Sequence, residues 1–251
     1  MLRWVAIVCL LGLPVLAGAG SLRVGPTRLD LSAQRPVAVL EVQNSGPAPT
    51  LVQVDLLDWS QDGRGAVLTP TRDLVATPLV LNLASGESRV IRVGLRTANR
   101  SDAERSYRLF VREVPAAFSD GANLKFAVRI GVPIFAAPSE ARATAVSSPA
   151  EVSWSWVPDI QGCVDVRISN PTARHERVLG AEMLSHSGEV LWRASEPAYV
   201  LAWSHRMLSP SLCPPSIKEA VTLRLNMESG TVNLPVVAPS LVVDANTPLA
   251  R

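Results

Sequence analysis

Cysteine is scarce: Cys9, Cys163 and Cys213 are all there are in 251 residues. Three such positions exclude a disulfide-dense miniature fold, and two that remain after processing cannot make a structural zinc site alone. His175, His186 and His205 hold no ligand spacing to them. Charge is also sparse, at 18% Asp, Glu, Lys and Arg with a net of +2. The chain has no basic patch interleaved with aromatics, so nucleic acid is not an expected partner. Gly-x-Ser-x-Gly, His-Glu-x-x-His and a glycine-rich phosphate loop are absent, and with them the commonest hydrolase, zinc-protease and nucleotide signatures. Carboxylate pairs such as Asp55/Asp58 and Asp159/Asp165 read as solvated charges. We expect no enzyme and no cofactor.

Long apolar runs are absent beyond the first twenty residues. There, Arg3 forms a positive start, Val5 to Leu16 an apolar stretch broken by Pro14, and Ala17-Gly18-Ala19 a small-residue cleavage site. The pattern predicts a cleaved export signal over 1–20. Cys9 lies inside the apolar stretch, which does not fit a lipoprotein. The remainder is expected to be soluble, without stable membrane insertion. Export makes the surviving pair, Cys163 and Cys213, a candidate disulfide; two separate buried thiols are the other reading.

Helical periodicity is missing as well. Short alternating runs are separated by Gly, Pro, Asn, Asp and Ser, which predicts an all-β chain of sandwich or barrel type. Seven runs occupy the first half: 22–31, 37–44, 51–59, 79–83, 90–95, 106–114 and 124–135. Pro26 marks the first as an edge strand or one that switches sheets. Seven strands in about 115 residues suit an immunoglobulin-like sandwich. An Ala/Ser/Pro-rich stretch from Ala136 to Ala150 marks a domain boundary. Seven further runs, between Glu151 and Val237, predict a second all-β domain. We therefore place the domains at 21–138 and 146–251. Trp154, Trp156, Trp192 and Trp203 are expected inside the second.

One run is unusual. From Leu124 to Ile134 every even position is large and apolar (Leu124, Phe126, Val128, Ile130, Val132, Ile134), giving about twelve residues with Phe135, roughly twice the usual strand length. A small domain covers only part of such a strand. The rest projects as an edge guarded by Lys125 and Arg129, and exposed apolar edges recruit other chains. The two readings are a long core strand of an ordinary sandwich and an edge lent to another protein.

Taken together, several motifs resemble the bacterial periplasmic pilus-assembly chaperones of the chaperone–usher pathway. Pro26-Thr27-Arg28 is similar to the family's early Thr-Arg pair. Ala76-Thr77-Pro78-Leu79, followed by Leu83-Ala84-Ser85-Gly86-Glu87-Ser88, resembles its Thr-Pro segment and Leu-x-Pro-Gly loop, with Ser85 in place of proline. Tyr107 to Pro115 resembles its strand ending in Arg-Glu-Ile/Val-Pro. Pro133-Ile134-Phe135 closes the long strand as in many members, and Asn170-Pro171-Thr172 matches a turn of the second domain. These motifs span nearly the whole chain after the signal.

The resemblance implies two immunoglobulin-like β-sandwich domains in a boomerang arrangement and a periplasmic location. It implies capture of a pilus subunit, one to one, by donor-strand complementation, with delivery to an outer-membrane usher. Leu124, Phe126, Val128 and Ile130 are then the donor residues, while Val132 to Phe135 pack within the first domain. Arg28 is the residue implied to hold the subunit's terminal carboxylate. Typical members add a lysine late in the long strand; here Gly131, Val132, Pro133 and Ile134 stand there. Arg129 is the nearest base, with Arg89, Arg92 and Arg112 as alternatives, and the departure suggests a divergent or archaic branch. A strand of this kind can also be capped by a second copy of the chain, as a homo-oligomer. The alternative function is an exported structural or adhesive immunoglobulin-like protein.

Overall fold

The computed structural model describes residues 22–62, 65–114, 127–138, 153–158, 163–210 and 219–236. The expected signal over 1–20, the donor residues Leu124 and Phe126, and Cys213 lie outside them. Among the described residues every regular element is a strand, and no helix is long and apolar enough to cross a membrane.

The first half contains β1 (Leu22–Gly25), β2 (Leu29–Leu31), β3 (Val37–Asn44), β4 (Thr50–Gln61) and β5 (Ala66–Pro70). It continues with β6 (Leu74–Thr77), β7 (Val80–Leu83), β8 (Ser88–Leu95), β9 (Arg105–Val114) and β10 (Arg129–Ala136). One sheet has the order β1-β3-β8-β6; the other has β2-β10-β9-β4-β5, with β7 also paired to β4. The break at Pro26 does switch sheets. β1 runs antiparallel to β3, and β2 crosses to run parallel to β10. Alternation then builds the core. Leu40, Val42, Ile91 and Val93 from one sheet meet Val52, Leu109, Val111, Val132 and Ile134 from the other, all at most 1% exposed. Two strands beyond the seven expected are β5 and β6. β5 is exposed at every position, so it carries no burial pattern to read.

The second half contains β11 (Ser153–Pro158), β12 (Val164–Asn170), β13 (Glu176–Leu184) and β14 (Val190–Ala194). Then follow β15 (Ala198–Val200), β16 (Ser204–Leu208), β17 (Thr222–Met227) and β18 (Gly230–Pro235). They form two sheets, β11-β12-β16 and β14-β13-β17-β18, with β15 paired to β13. Val166, Ile168, Met183, Trp192, Leu223 and Leu225 fill the space between them. Trp192 is buried and donates Nε1–H to the Val164 carbonyl at 2.8 Å. Trp154 packs at the margin of this core, and the side chain of Trp156 lies outside the described set. Trp203 corrects the expectation: it is 64% exposed. The run read as one strand over 198–203 turns there instead, and Trp203 takes a left-handed φ of 54°.

Three buried asparagines tie loops to these sheets. Asn44, Asn99 and Asn170 each accept, at Oδ1, the backbone N–H two residues on, from Gly46, Ser101 and Thr172. Their amides donate inward: Asn44 to the carbonyls of Ala48, Leu83 and Ala84, Asn99 to Ala103 and Ala136, Asn170 to Arg174, Val200 and Leu201. Asn99-Arg100-Ser101 fits a glycosylation sequon in sequence, but its asparagine is 7% exposed and its amide is engaged. Removing such a node strands several buried carbonyls. Asn170→Ala should cost about 2–4 kcal/mol of stability, measured as a lower urea midpoint with an unchanged slope.

Candidate functional site: the free strand edge and the interdomain cleft

β10 serves two neighbours. Along Arg129 to Ala136 it pairs antiparallel with β9, and the pairing extends one step further through the Glu113 N–H to Val128 carbonyl bond, 2.9 Å. On its other side only Ile134, Phe135 and Ala136 are paired, with Leu29, Asp30 and Leu31 of β2 respectively. Among the described residues the edge from Arg129 to Pro133 therefore has no ladder partner on that side. The even face is buried at Val132 and Ile134, half-buried at Ile130 and at Val128. Ile130 packs at the margin of the first core. The apolar face thus leaves its own sandwich where the edge becomes free.

The odd face behaves differently. An added Cβ on Gly131 would meet the Phe110 ring at 2.9 Å. The Arg129 guanidinium lies over that same ring, 3.7 Å from its centroid, an arrangement in which cation and π face attract. Phe135, last on the odd face, is 1% exposed and leaves the first core. It joins Trp59 and Leu201, with Tyr199 against them. Its ring stacks on His175 at 3.5 Å and 8°. The expectation that Phe135 packs within the first domain is corrected: it packs between the domains.

Polar contacts complete this junction. Gln61 donates to the Tyr199 carbonyl at 2.7 Å and accepts from the Leu201 N–H at 3.0 Å. The Glu104 N–H donates to the Ala173 carbonyl at 2.8 Å. The Glu104 carboxylate takes the His175 N–H at 3.2 Å and the ring Nδ1 at 2.6 Å.

Arg28 lines a cleft of about 530 Å³ between the domains. Its Nε donates to Asp30 at 3.2 Å and its Nη1 to Glu228 at 2.8 Å. Burial pulls the guanidinium's pKa down, but the Glu228 hydrogen bond and the charges of Asp30 and Glu228 outweigh it, and the net shift is upward. Arg35, Arg174, Arg177 and His175 line the same cleft.

The other arginines expected at the site lie elsewhere. Arg129 is five positions up β10 from Ile134, roughly 16 Å along the strand, and it does not line the cleft. Arg89 pairs with Glu87 at 2.6 Å on β8, Arg92 is exposed on that same strand, and Arg112 donates to Gln53 at 2.8 Å on the other sheet. None of these three lines the cleft with Arg28. Sequence reading missed Arg174, Arg177 and Glu228 because nothing local ties them to Arg28, 200 residues from Glu228. Among the described residues no group of His, Cys, Asp and Glu is placed to hold a metal ion.

Comparison with known proteins agrees with this geometry. Residues 21–142 match the family described as the pili and flagellar-assembly chaperone, PapD N-terminal domain. No curated protein matches the chain by sequence. Among solved structures, the CsuC–CsuE chaperone–tip adhesion subunit pre-assembly complex of Acinetobacter baumannii archaic Csu pili aligns at 20% identity and TM-score 0.65, covering 85% of this chain and 98% of that one. The Salmonella enterica SafA pilin–SafB chaperone complex aligns at 16% and 0.61, over 86% and 96%. The Pseudomonas aeruginosa CupB2 chaperone aligns at 19% and 0.58, over 85% and 100%. At these identities the likeness is one of fold, and it extends over both sandwiches. Residues 21–142 are thus a domain of the pili and flagellar-assembly chaperone family, of the PapD N-terminal type.

Proposed function

We propose that this protein is a periplasmic chaperone that captures a pilus subunit, one to one, by lending it a β-strand, and passes it to an outer-membrane usher. The reading rests on the free edge of β10. From Arg129 to Pro133 the strand is laddered to β9 alone among the described residues, while its even, apolar face emerges from the core. An incomplete sandwich that lacks a strand has the complementary deficit: unpaired backbone groups beside an apolar groove, each costly to leave open. A lent edge satisfies both at once.

In this reading Ile130 and Val128 begin the donor face, and Phe126 and Leu124 continue it. Burying four such side chains contributes up to roughly 6–12 kcal/mol before ordering costs. Arg28 receives the subunit's terminal carboxylate, a task suited to a planar guanidinium with parallel donors. Its place beside Asp30 and Leu29, where β2 meets the buried half of β10, supports an anchor at the far end of the free edge. The second domain is closed by a Cys163–Cys213 disulfide; Cys163 is buried and disulfide-engaged, which supports the pairing.

Three outcomes are expected. Phe126→Asp should abolish co-purification of a co-expressed subunit from the periplasm while the variant's own melting transition is unchanged; a normal one-to-one complex from this variant ends the donor-strand assignment. Arg28→Ala should weaken subunit binding about tenfold or more, the scale of a lost charge-assisted hydrogen bond, as read by titration. Thiol titration of the denatured, unreduced periplasmic protein should find no free cysteine, and two thiols per chain would refute the disulfide.

A further inference from the structure

We propose that Glu228 is a built-in occupant of the Arg28 site, so that subunit capture exchanges one carboxylate for another. The inference rests on the reading of Arg28 as the anchor of a subunit's terminal carboxylate. Glu228 stands at the turn between β17 and β18 of the second domain, 200 residues from Arg28 in sequence, yet its Oε1 accepts from Arg28 Nη1 at 2.8 Å. The acid is held in place by its own backbone, whose N–H donates to the Arg177 carbonyl at 2.9 Å.

The guanidinium's edges separate two roles. Asp30, two residues on, takes Nε at 3.2 Å. Glu228 takes Nη1, which belongs to the end edge formed by the two terminal nitrogens. A carboxylate that binds end-on with two parallel hydrogen bonds needs that edge. It can leave Asp30 in position, but it must displace Glu228. Both partners are open to solvent, with side chains 33% and 44% exposed, so the pair is weak enough to be exchanged. Arg35, Arg174 and Arg177 line the same cleft together with Glu104, which His175 engages, and Glu176, which accepts from Ser229, so an entering carboxylate meets further cations beside acids that already have partners. Glu228 therefore makes the free site selective: a ligand must outcompete an intramolecular carboxylate.

The test uses the whole two-domain protein and acetate as the carboxylate probe. Binding is read by NMR at the Arg28 Nε–Hε resonance, identified by its loss in Arg28→Ala. Glu228→Gln keeps the shape and removes the charge, and should bind acetate about two- to fivefold more tightly than wild type, the range of an exposed ion pair. Acetamide, which lacks the charge, should bind neither. Equal acetate affinity in the two proteins, tighter binding by wild type, or no response in either overturns the proposal. Subunit co-purification keeps the two readings apart. Equal acetate affinity with weakened capture by Arg28→Ala removes the competition and leaves the anchor standing. Undiminished capture by Arg28→Ala removes the anchor and the competition with it.

Discussion

The structure depends on one strand whose two ends face different environments. At its C-terminal end β10 is laddered on both sides, by β9 and by β2, and Val132 and Ile134 are sealed in the first core. A few residues earlier the second ladder stops. The cause lies at the other end of the domain. The opening run is interrupted at Pro26 to Arg28, so β1 goes to the opposite sheet and only the short β2 is left to cover β10. Three residues of β2 cannot cover eight of β10. Without that switch the long edge would be closed and the strand would be an ordinary member of a sandwich.

The same strand also fixes the second domain. Its odd face ends in Phe135, which packs on Trp59, His175 and Tyr199. Glu104 and Gln61 of the first domain add bonds to the backbone of the second. These contacts belong to β4, one strand beyond β9 in the same sheet, and to the segment leading into β9. The cleft that holds Arg28 is thus built on the register of one ladder: Phe135 lies opposite Asp30, and Arg28 precedes Asp30 by two residues.

Much of this was legible in residue order. The alternation of Leu40/Val42, Leu109/Val111 and Val132/Ile134 marks buried faces because a strand's side chains must alternate, and the structure buries those residues. Parity also bears on Arg129. It is odd while the apolar face is even, and the structure lays it over Phe110 on the opposite side. β5 was illegible because it is exposed throughout and selects for no pattern. The turn at Trp203 hid inside an apolar run, where a tryptophan suggests burial more than a left-handed turn. Phe135 gave one faint signal, a large apolar residue on the face that otherwise carries Arg129, Gly131 and Pro133. The bond between Arg28 and Glu228 gave none, since a single acid in a distant hairpin has no local periodicity or spacing to betray it.

Strand edge and cleft impose different demands on a bound segment. In a lent-strand complex, backbone pairing along β10 is indifferent to side chains, and apolar pockets tolerate many shapes, so the edge alone would accept any extended apolar chain. A charged end group has a fixed location, and a guanidinium beside the last paired residues defines where a chain must stop. In the proposed capture, register follows from that stop: shifting the segment by one residue reverses which side chains face the groove and moves the carboxylate about 3.3 Å off its donors. An acid already resting on Arg28 sharpens the distinction. An internal stretch of apolar chain brings nothing to replace Glu228, whereas a true terminus brings a carboxylate and completes the exchange.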